Sequence, residues 1–221
     1  AEYTSGDRAE VVARKEGRSR DFDDVEIRAE RRGDEVIVCA VYHPDRVRGD
    51  GCSVDHDGGD DRRDRGERRS IDVAVAFVVR VPAGVDFSAS MVSGDVVADD
   101  LRSDVEVSTV NGDIQVSTSG RAQGRTVSGS IDIAMGSDDW RDLDFGTVSG
   151  DITVWLPEGI DTDVDFQSLS GDLRSDFDLN TTRNRSRWIG SNVEGYIGSR
   201  GRRSLSFNTV SGDVRLRRSR S

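Results

Sequence analysis

A short phrase of alternating apolar and polar residues recurs six times between Met91 and Val214. Each copy approximates Thr-Val-Ser-Gly-Asp-Ile, and the copies share a central glycine: Gly94, Gly112, Gly129, Gly150, Gly171 and Gly212. These glycines are separated by 18, 17, 21, 21 and 41 residues. Because self-similarity at a fixed period is the signature of repeat architectures, the pattern predicts a stack of similar units. The last gap spans about two periods and leaves room for a degenerate unit near Trp188 to Ile197.

Alignment of the copies on the glycine gives columns of apolar residues. They fall seven, five and two positions before the glycine, and two and four positions after it. Steps of two indicate β-strands with one buried face. The odd step from five to two positions before the glycine predicts a bend or bulge, since a shift of one residue exchanges the two faces. On this interpretation the column two positions before the glycine lies in the core: Val92, Val110, Val127, Val148, Leu169 and Val210.

Each repeat therefore consists of a strand, a corner and a second strand. One such unit cannot bury its apolar columns alone, whereas units stacked about 4.8 Å apart place equivalent residues over one another. We predict an all-β fold, a β-solenoid or parallel β-helix with coils of roughly 20 residues. A β-sandwich of hairpins also gives short strands at even spacing, but it gives no reason for the same residue types in each column.

The Ser-Gly-Asp corner combines three residue types that favour turns. Glycine adopts the positive φ of a tight corner, and the residues on either side of it can hydrogen-bond to nearby backbone groups. Stacking would place the aspartates in a ladder along one edge: Asp95, Asp113, Asp151, Asp172 and Asp213. Ser130 interrupts this ladder, which favours a role in turns over a chain of calcium ions. We predict neither a metal site nor a cofactor.

Residues 1–84 form a predicted N-terminal region of strands, and the repeats occupy 85–221. The apolar run Val36–Tyr42 predicts a strand, and Gly33-Asp34 before it offers a hairpin turn. Residues 45–70 hold 8 acidic and 7 basic side chains with little to bury, which predicts a charged loop insertion. Because solenoids need capped ends, a cap on the first coil is one role open to this region.

The two cysteines, Cys39 and Cys52, bear on the compartment of the protein. An exported chain would oxidise them to a disulfide worth about 3 kcal/mol of stability, and two unrelated thiols are the alternative. The nearby His43 and His56 belong to a turn and a charged loop, so neither cysteine is a candidate nucleophile. The pair favours an extracellular, periplasmic or cell-surface location.

Charge is distributed unevenly along a chain whose formal net charge is −11. Residues 85–182 carry 20 acidic and 5 basic side chains, whereas residues 183–221 carry 2 acidic and 10 basic. An acidic body repels phosphates, which argues against nucleic acid as a partner. The basic end of one copy could instead meet the acidic body of the next, a contact that can grow into a filament. Asp outnumbers Glu by 32 to 10, and Arg outnumbers Lys by 30 to 1. An excess of Asp with little Lys is typical of proteins from salt-loving organisms. A GC-rich genome, which encodes Arg in place of Lys, is the alternative explanation.

Candidate ligand contacts are few. Trp155 lies between two inward positions, so its ring is expected on an outer face, where it could stack on a sugar. Asp138 and Asp139 beside Trp140 and Arg141 suit a carbohydrate-active site, but an exposed loop explains them better. We assign no catalytic residues. The hypotheses, in order of preference, are a non-catalytic structural or adhesin-like module, a binding module for a glycan or another envelope component, and a polysaccharide-active β-helix enzyme.

The repeated phrase, the Val81-Pro-Ala-Gly-Val85 segment before it and the closing Leu205–Val214 segment resemble a bacterial and archaeal family of domains of unknown function, the "putative adhesin" family. The resemblance covers about 80–217 and is weaker over 1–79. It implies a β-solenoid from envelope, secreted or membrane-anchored proteins, with no catalytic residues to transfer. The charged 45–70 segment departs from the family pattern. So does the lack of a membrane anchor, since no apolar run reaches the roughly 18 residues of a membrane span.

Overall fold

The structure, a computed structural model, describes residues 1–44, 52, 71–186, 191–201 and 203–219. Apart from Cys52, the predicted insertion at 45–70 lies outside the described residues. No helix in the described part of the chain has the length and apolar character needed to cross a membrane.

Strands dominate the described residues, accompanied by a short 3-10 helix at Ser19–Asp24. In chain order the strands are β1 Glu2–Thr4, β2 Glu10–Gly17, β3 Val25–Arg32, β4 Glu35–Tyr42, β5 Val73–Pro82, β6 Phe87–Ser93, β7 Val96–Leu101, β8 Val105–Asn111, β9 Ile114–Thr118, β10 Ala122–Ser128, β11 Ile131–Met135, β12 Asp142–Ser149, β13 Ile152–Leu156, β14 Thr162–Ser170, β15 Leu173–Ser175, β16 Leu179–Ser186, β17 Ser191–Ile197, β18 Ser204–Ser211 and β19 Val214–Arg218. The predicted all-β class is confirmed.

The chain divides into two compact units. The repeat unit comprises Ala1–Glu10 and Arg80–Ser221, and the N-terminal unit comprises Val11–Val79. The predicted boundary lay between residues 84 and 85. The structure instead joins the first residues to the repeats, because β1 pairs in parallel with the end of β5 and with β7.

The N-terminal unit contains a hairpin and a disulfide. Strands β3 and β4 pair antiparallel around Gly33, whose φ of 62° confirms the predicted turn. Cys39 and Cys52 form a disulfide with a Cα–Cα distance of 5.8 Å, as predicted. Strand β2 lies beside β5, and the Tyr42 hydroxyl donates a hydrogen bond to the Val73 carbonyl oxygen at 3.3 Å.

The repeat unit is built from six coils, each contributing one strand to each of two parallel sheets. Coils 1 to 4 are β6–β7, β8–β9, β10–β11 and β12–β13, coil 5 is β14–β15, and coil 6 is β18–β19. Sheet 1 contains β6, β8, β10, β12, β18 and β14, and sheet 2 contains β7, β9, β11, β13, β19 and β15, continued by β1. Equivalent residues pair across coils, such as Phe145 with Phe207 and Ile131 with Ile152. Parallel strands in register are the arrangement that a β-solenoid requires.

The order of the coils in space differs from their order in the chain. Coil 6 lies between coils 4 and 5 in both sheets. The prediction of a degenerate coil near Trp188 to Ile197 is wrong, because the described residues of this segment form an antiparallel strand. Trp188 lies outside the described residues, and β17, Ser191–Ile197, runs antiparallel between β14 and β16. This hairpin reverses the chain, which then returns through coil 6.

The core lies between the two sheets. Its largest fully buried side chains are the phenylalanines five positions before the glycine: Phe145, Phe166 and Phe207. The rings of Phe145 and Phe207 stack with centroids 5.9 Å apart. Burial of each such ring stabilises the fold by about 1.5–3 kcal/mol.

The predicted shift of faces within the strand is wrong. Positions seven, five and three before the glycine point inward, so the strand keeps its period of two. The third inward column consists of hydroxyl residues and one methionine: Met91, Thr109, Thr126, Thr147, Ser168 and Thr209. Threonine is accommodated there because its hydroxyl donates to the glycine carbonyl of the adjacent coil, as from Thr126 to Gly112 at 3.2 Å. The valine column therefore lies outside the core.

Candidate functional site

The glycines form a file along one edge of the stack, in the order Gly94, Gly112, Gly129, Gly150, Gly212 and Gly171. From the second onward, a Cβ would overlap the carbonyl oxygen of the preceding glycine in the file. Five of the six also have φ between 127° and 152°, which L side chains rarely adopt. Gly171 is required by the close carbonyl oxygen alone, since its φ lies outside this range. The corner is thus a structural joint at which the coils touch through their backbones.

The aspartates after these glycines form hydrogen bonds from coil to coil. The Asp95 carboxylate accepts the backbone amide of Asp113 at 2.9 Å, and the Asp151 carboxylate accepts that of Asp213 at 2.9 Å. Asp213 in turn accepts the amide of Asp172 at 3.0 Å. Such bonds offset repulsion between stacked carboxylates. Within the described residues, no group of three or more His, Cys, Asp or Glu is arranged to hold a metal ion.

Coils 5 and 6 each contribute an arginine to this acidic edge. Arg215 contacts Asp151 at 2.7 Å and Asp213 at 3.4 Å, and Arg174 lies 3.7 Å from Asp213. The hydrogen bond from Arg215, and then that from the Asp213 amide, lower the pKa of the Asp151 carboxyl. Burial is the main cause that raises the pKa of nearby Asp132. The basic end of the chain is therefore paired with its acidic body inside one molecule.

A continuous apolar ridge lies on the outer face of sheet 1. It consists of the column predicted to be buried, whose members are 41–71% exposed: Val92, Val110, Val127, Val148, Val210 and Leu169, in spatial order. The chain turns at the corner itself, so the positions two and one before the glycine both lie outside. Scattered exposed apolar residues are ordinary, but a contiguous row of six marks an interaction surface.

The ridge belongs to a surface with almost no charge. We define the outer strip as the positions four, two and one before the glycine in the six strands of sheet 1. These 18 positions hold one charged residue, Arg125. Its guanidinium contacts the Asp144 carboxylate at 2.6 Å. In a chain with 33% charged residues, such depletion is typical of the central part of a binding surface.

A groove of about 880 Å³ runs beside the ridge. Small residues widen it, notably Ser108 and Gly146, while Gln167 and Asn208 supply amides. Asn192 of β17 lies at one end, paired across the strands with Gln167. The Asn192 amide oxygen is buried and has no hydrogen-bond partner among the described residues. The groove thus combines an apolar wall with hydrogen-bonding side chains.

Trp155 and Trp140 lie outside the groove. Trp155 is half-buried in the outward register of sheet 2, paired with Ala134 and Arg217, so its predicted ligand contact lies apart from the groove and stays a prediction. Trp140 is only 4% exposed and donates a hydrogen bond to the Ser137 carbonyl oxygen, so it has no free face for a sugar.

The acidic pair beside Trp140 contributes to an ion pair. Asp138 contacts Arg203 at 2.8 Å, and Asp139 is exposed. This contact links the loop before coil 4 to the residue before coil 6.

The outer strip differs from the sequence-based expectation, in which the valine column lies in the core. A usable signal was present: the hydroxyl residues three positions before the glycine continue the period of two from seven and five. The valine column was assigned to the core because valine is more often buried than threonine.

Comparisons with known proteins give one family and one solved structure. The family model described as Toastrack DUF4097 matches residues 63–217, more than half of the chain. The crystal structure of a "putative cell adhesion protein" from Clostridium sporogenes ATCC 15579 aligns with a TM-score of 0.52 and 7% identity, over 99% of this chain and 87% of that chain. At this identity the likeness concerns the fold alone. No curated protein matches the chain significantly.

Proposed function

Because the chain belongs to the Toastrack DUF4097 family, we propose that it is a non-catalytic structural and adhesion module exposed at a cell surface. The family match and the likeness to a "putative cell adhesion protein" fit this role. The proposal concerns a scaffold that presents an outer face to a partner, with no chemical step.

The observation that carries the proposal is the division between inward and outward positions in the coils. The inward columns form the core and the glycine joints hold the coils together, whereas the outer strip stays exposed and apolar. A stacked scaffold with an extended outer face is how repeat proteins build binding surfaces. The Cys39–Cys52 disulfide supports export, because such bonds persist in oxidising compartments.

Immunolabelling of intact cells tests the location. We expect antibody against the full chain to label intact cells, and cells lacking the protein to attach less well to their usual surface. A signal that appears only after permeabilisation would contradict the proposal. Release of sugar fragments from polysaccharides by the purified protein would contradict its non-catalytic part.

End-to-end self-association is a second proposal, favoured by the edge of sheet 1 as the described strands form it. Strand β6 is an outermost strand, and its inward residues Phe87 and Met91 are only half-buried, whereas Val105 and Val107 of β8 are buried. An edge strand offers unpaired backbone groups to another chain. Coil 6 lies inside the stack, so its backbone does not supply the edge strand for this contact.

Light scattering across a salt series tests this association. We expect particles larger than a monomer at micromolar concentration, and fewer of them for Met91→Lys at the edge. A chain that stays monomeric at low salt rules the association out.

A further inference from the structure

We propose that the outer strip binds a linear, uncharged polysaccharide that lies along the stack, across strands β8, β10, β12, β18 and β14. The inference rests on the proposed adhesion function and assigns it a ligand class and a surface. It places the ligand on sheet 1, away from Trp155 on sheet 2.

The dimensions of the strip favour a single polymer chain over a second copy of the protein. Six strands at a spacing of about 4.8 Å and four residues at about 3.3 Å give a footprint of roughly 24 by 10 Å. A stable protein interface buries about 800 Å² on each partner, several times this footprint. A long and narrow surface of this size matches one extended chain.

The chemistry of the strip favours a saccharide over a peptide. An extended peptide satisfies its backbone groups by pairing with a strand edge, but the strip lies on a sheet face, where strand backbones are already paired with their neighbours. Saccharide hydroxyls can instead use side chains, and the groove supplies Gln167, Asn208 and Asn192. Amide side chains offer both donors and acceptors to hydroxyl groups.

The ridge supplies the apolar half of the contact. Sugar rings have C–H faces, and a row of valines such as Val127, Val148 and Val210 gives them an apolar surface. Each rung presents one aliphatic ridge residue, so a polymer of identical rings meets an apolar contact at each step. The neighbouring residue varies from rung to rung: Ser108, Arg125, Gly146, Asn208 and Gln167.

The charges of the protein favour an uncharged polymer over an anionic one. The strip holds only Arg125, which already contacts Asp144. The chain as a whole carries a net charge of −11, so an anionic polysaccharide is repelled and finds no free cation on the strip.

Calorimetry on the full chain tests the inference with cellohexaose and chitohexaose as probes and heparin as the anionic control. We expect at least one neutral probe to bind with Kd between about 10 μM and 1 mM, a range suited to repeated weak contacts, and heparin not to bind. Val148→Asp is expected to weaken binding at least tenfold, because it places a charge in the middle of the ridge. Asn208→Ala should weaken it about threefold.

Val97→Asp is the matched control. Val97 is 45% exposed, the same fraction as Val148, but it lies on sheet 2. Binding retained by Val97→Asp and Trp155→Ala but lost by Val148→Asp supports the strip. Binding lost by Trp155→Ala instead, or by both aspartate variants equally, overturns it.

Two further outcomes overturn the inference while leaving the adhesion function intact. In the first, neither neutral probe binds, yet cells still attach through the protein. In the second, the chain is dimeric and Val148→Asp makes it monomeric, which identifies a second copy as the occupant. Failure of the surface labelling described above removes the adhesion function whatever the calorimetry shows.

Discussion

Coils 1 to 4 and coils 5 and 6 share one core pattern but are assembled differently. In the first group each coil follows its neighbour directly, and the corner bond from Asp113 to Asp95 spans 18 residues. In the second group the corresponding bond from Asp213 to Asp151 spans 62 residues. The corner hydroxyls also differ: Thr109, Thr126 and Thr147 donate to a glycine carbonyl, whereas Ser168 and Thr209 have buried hydroxyls without a partner.

This difference shows that a repeated sequence determines the coil without determining the order of the coils. Because each coil presents the same columns, a glycine joint accepts any neighbour. Other contacts must select the order. Arg215 pairs with Asp151 on one side of coil 6, and Arg217 lies 3.7 Å from Asp176 on the other. The β16–β17 hairpin completes the selection by reversing the chain.

Removal of an equivalent phenylalanine ring from coils 1 to 4 and from coils 5 and 6 should give the largest loss of stability. Phe145→Ala in coil 4 and Phe207→Ala in coil 6 should each lower the free energy of unfolding by about 3–5 kcal/mol, because both rings are fully buried. Urea denaturation measures this, with the surface variant Val97→Ala as a control expected within about 0.5 kcal/mol. A much smaller loss for Phe207→Ala would show that coil 6 is loosely inserted.

Alanine at the glycine joints is expected to have the next largest effect. Gly112→Ala and Gly212→Ala should each cost about 3 kcal/mol, from overlap with a carbonyl oxygen and from the positive φ. Gly146→Ala is the matched control, since its Cβ would find its nearest neighbour, the Asn208 carbonyl oxygen, at 3.6 Å. Equal losses at 112 and 212 would show that sequential and inserted joints are equally tight; a fully stable Gly212→Ala would contradict the described contact.

The corner hydroxyls should give effects of opposite sign in the two groups. Thr126→Val removes a hydrogen bond to Gly112 and should cost about 1 kcal/mol. Thr209→Val removes a buried hydroxyl without a partner and should raise stability by about 1 kcal/mol. Chemical denaturation of the two variants side by side decides the matter, and equal destabilisation would show that Thr209 has a partner in solution.

Removal of the ion pair between Arg215 and Asp151, on one side of coil 6, should give the smallest loss of stability. Arg215→Met is expected to cost at most about 1 kcal/mol, since the Asp151 side chain is 44% exposed and water screens the pair. Because the folded state lowers the pKa of Asp151, its contribution is present above the ordinary aspartate range and is lost as pH falls through the lowered value. Stability measured from neutral to acid pH should therefore converge for the two proteins at low pH. Arg125→Met, which breaks a pair between coils 3 and 4, is the control for a sequential contact.

The corner, which recurs in each repeat, could be predicted from the sequence. The exposed face of the strand could not, because the residue types suggested the opposite face. Gly112 and Asp113 were predicted at a corner because their neighbours in the phrase recur with a fixed period. The Cys39–Cys52 pair was predicted because the chain has two cysteines and an exported chain would oxidise them. The exposure of Val148 was missed because valine is usually buried, and only the threonine beside it revealed which face was inward.

The inserted position of coil 6 could not be derived from the phrase, since all copies carry the same columns. The charge distribution held the relevant information. A basic end and an acidic body were interpreted as a contact between molecules, and Arg215 beside Asp151 shows the same attraction within one chain. Opposite charges predict proximity but do not distinguish the two cases.

The place of coil 6 also determines when the protein can finish folding. A ribosome makes strands β18 and β19 after β14 and β15, yet β18 and β19 form the layer on which β14 and β15 dock. Coils 1 to 4 can assemble during synthesis, whereas coil 5 has no parallel neighbour until β18 and β19 have emerged. Deletion of β18 and β19 would therefore remove an internal layer of the stack and leave coil 5 without its parallel partner.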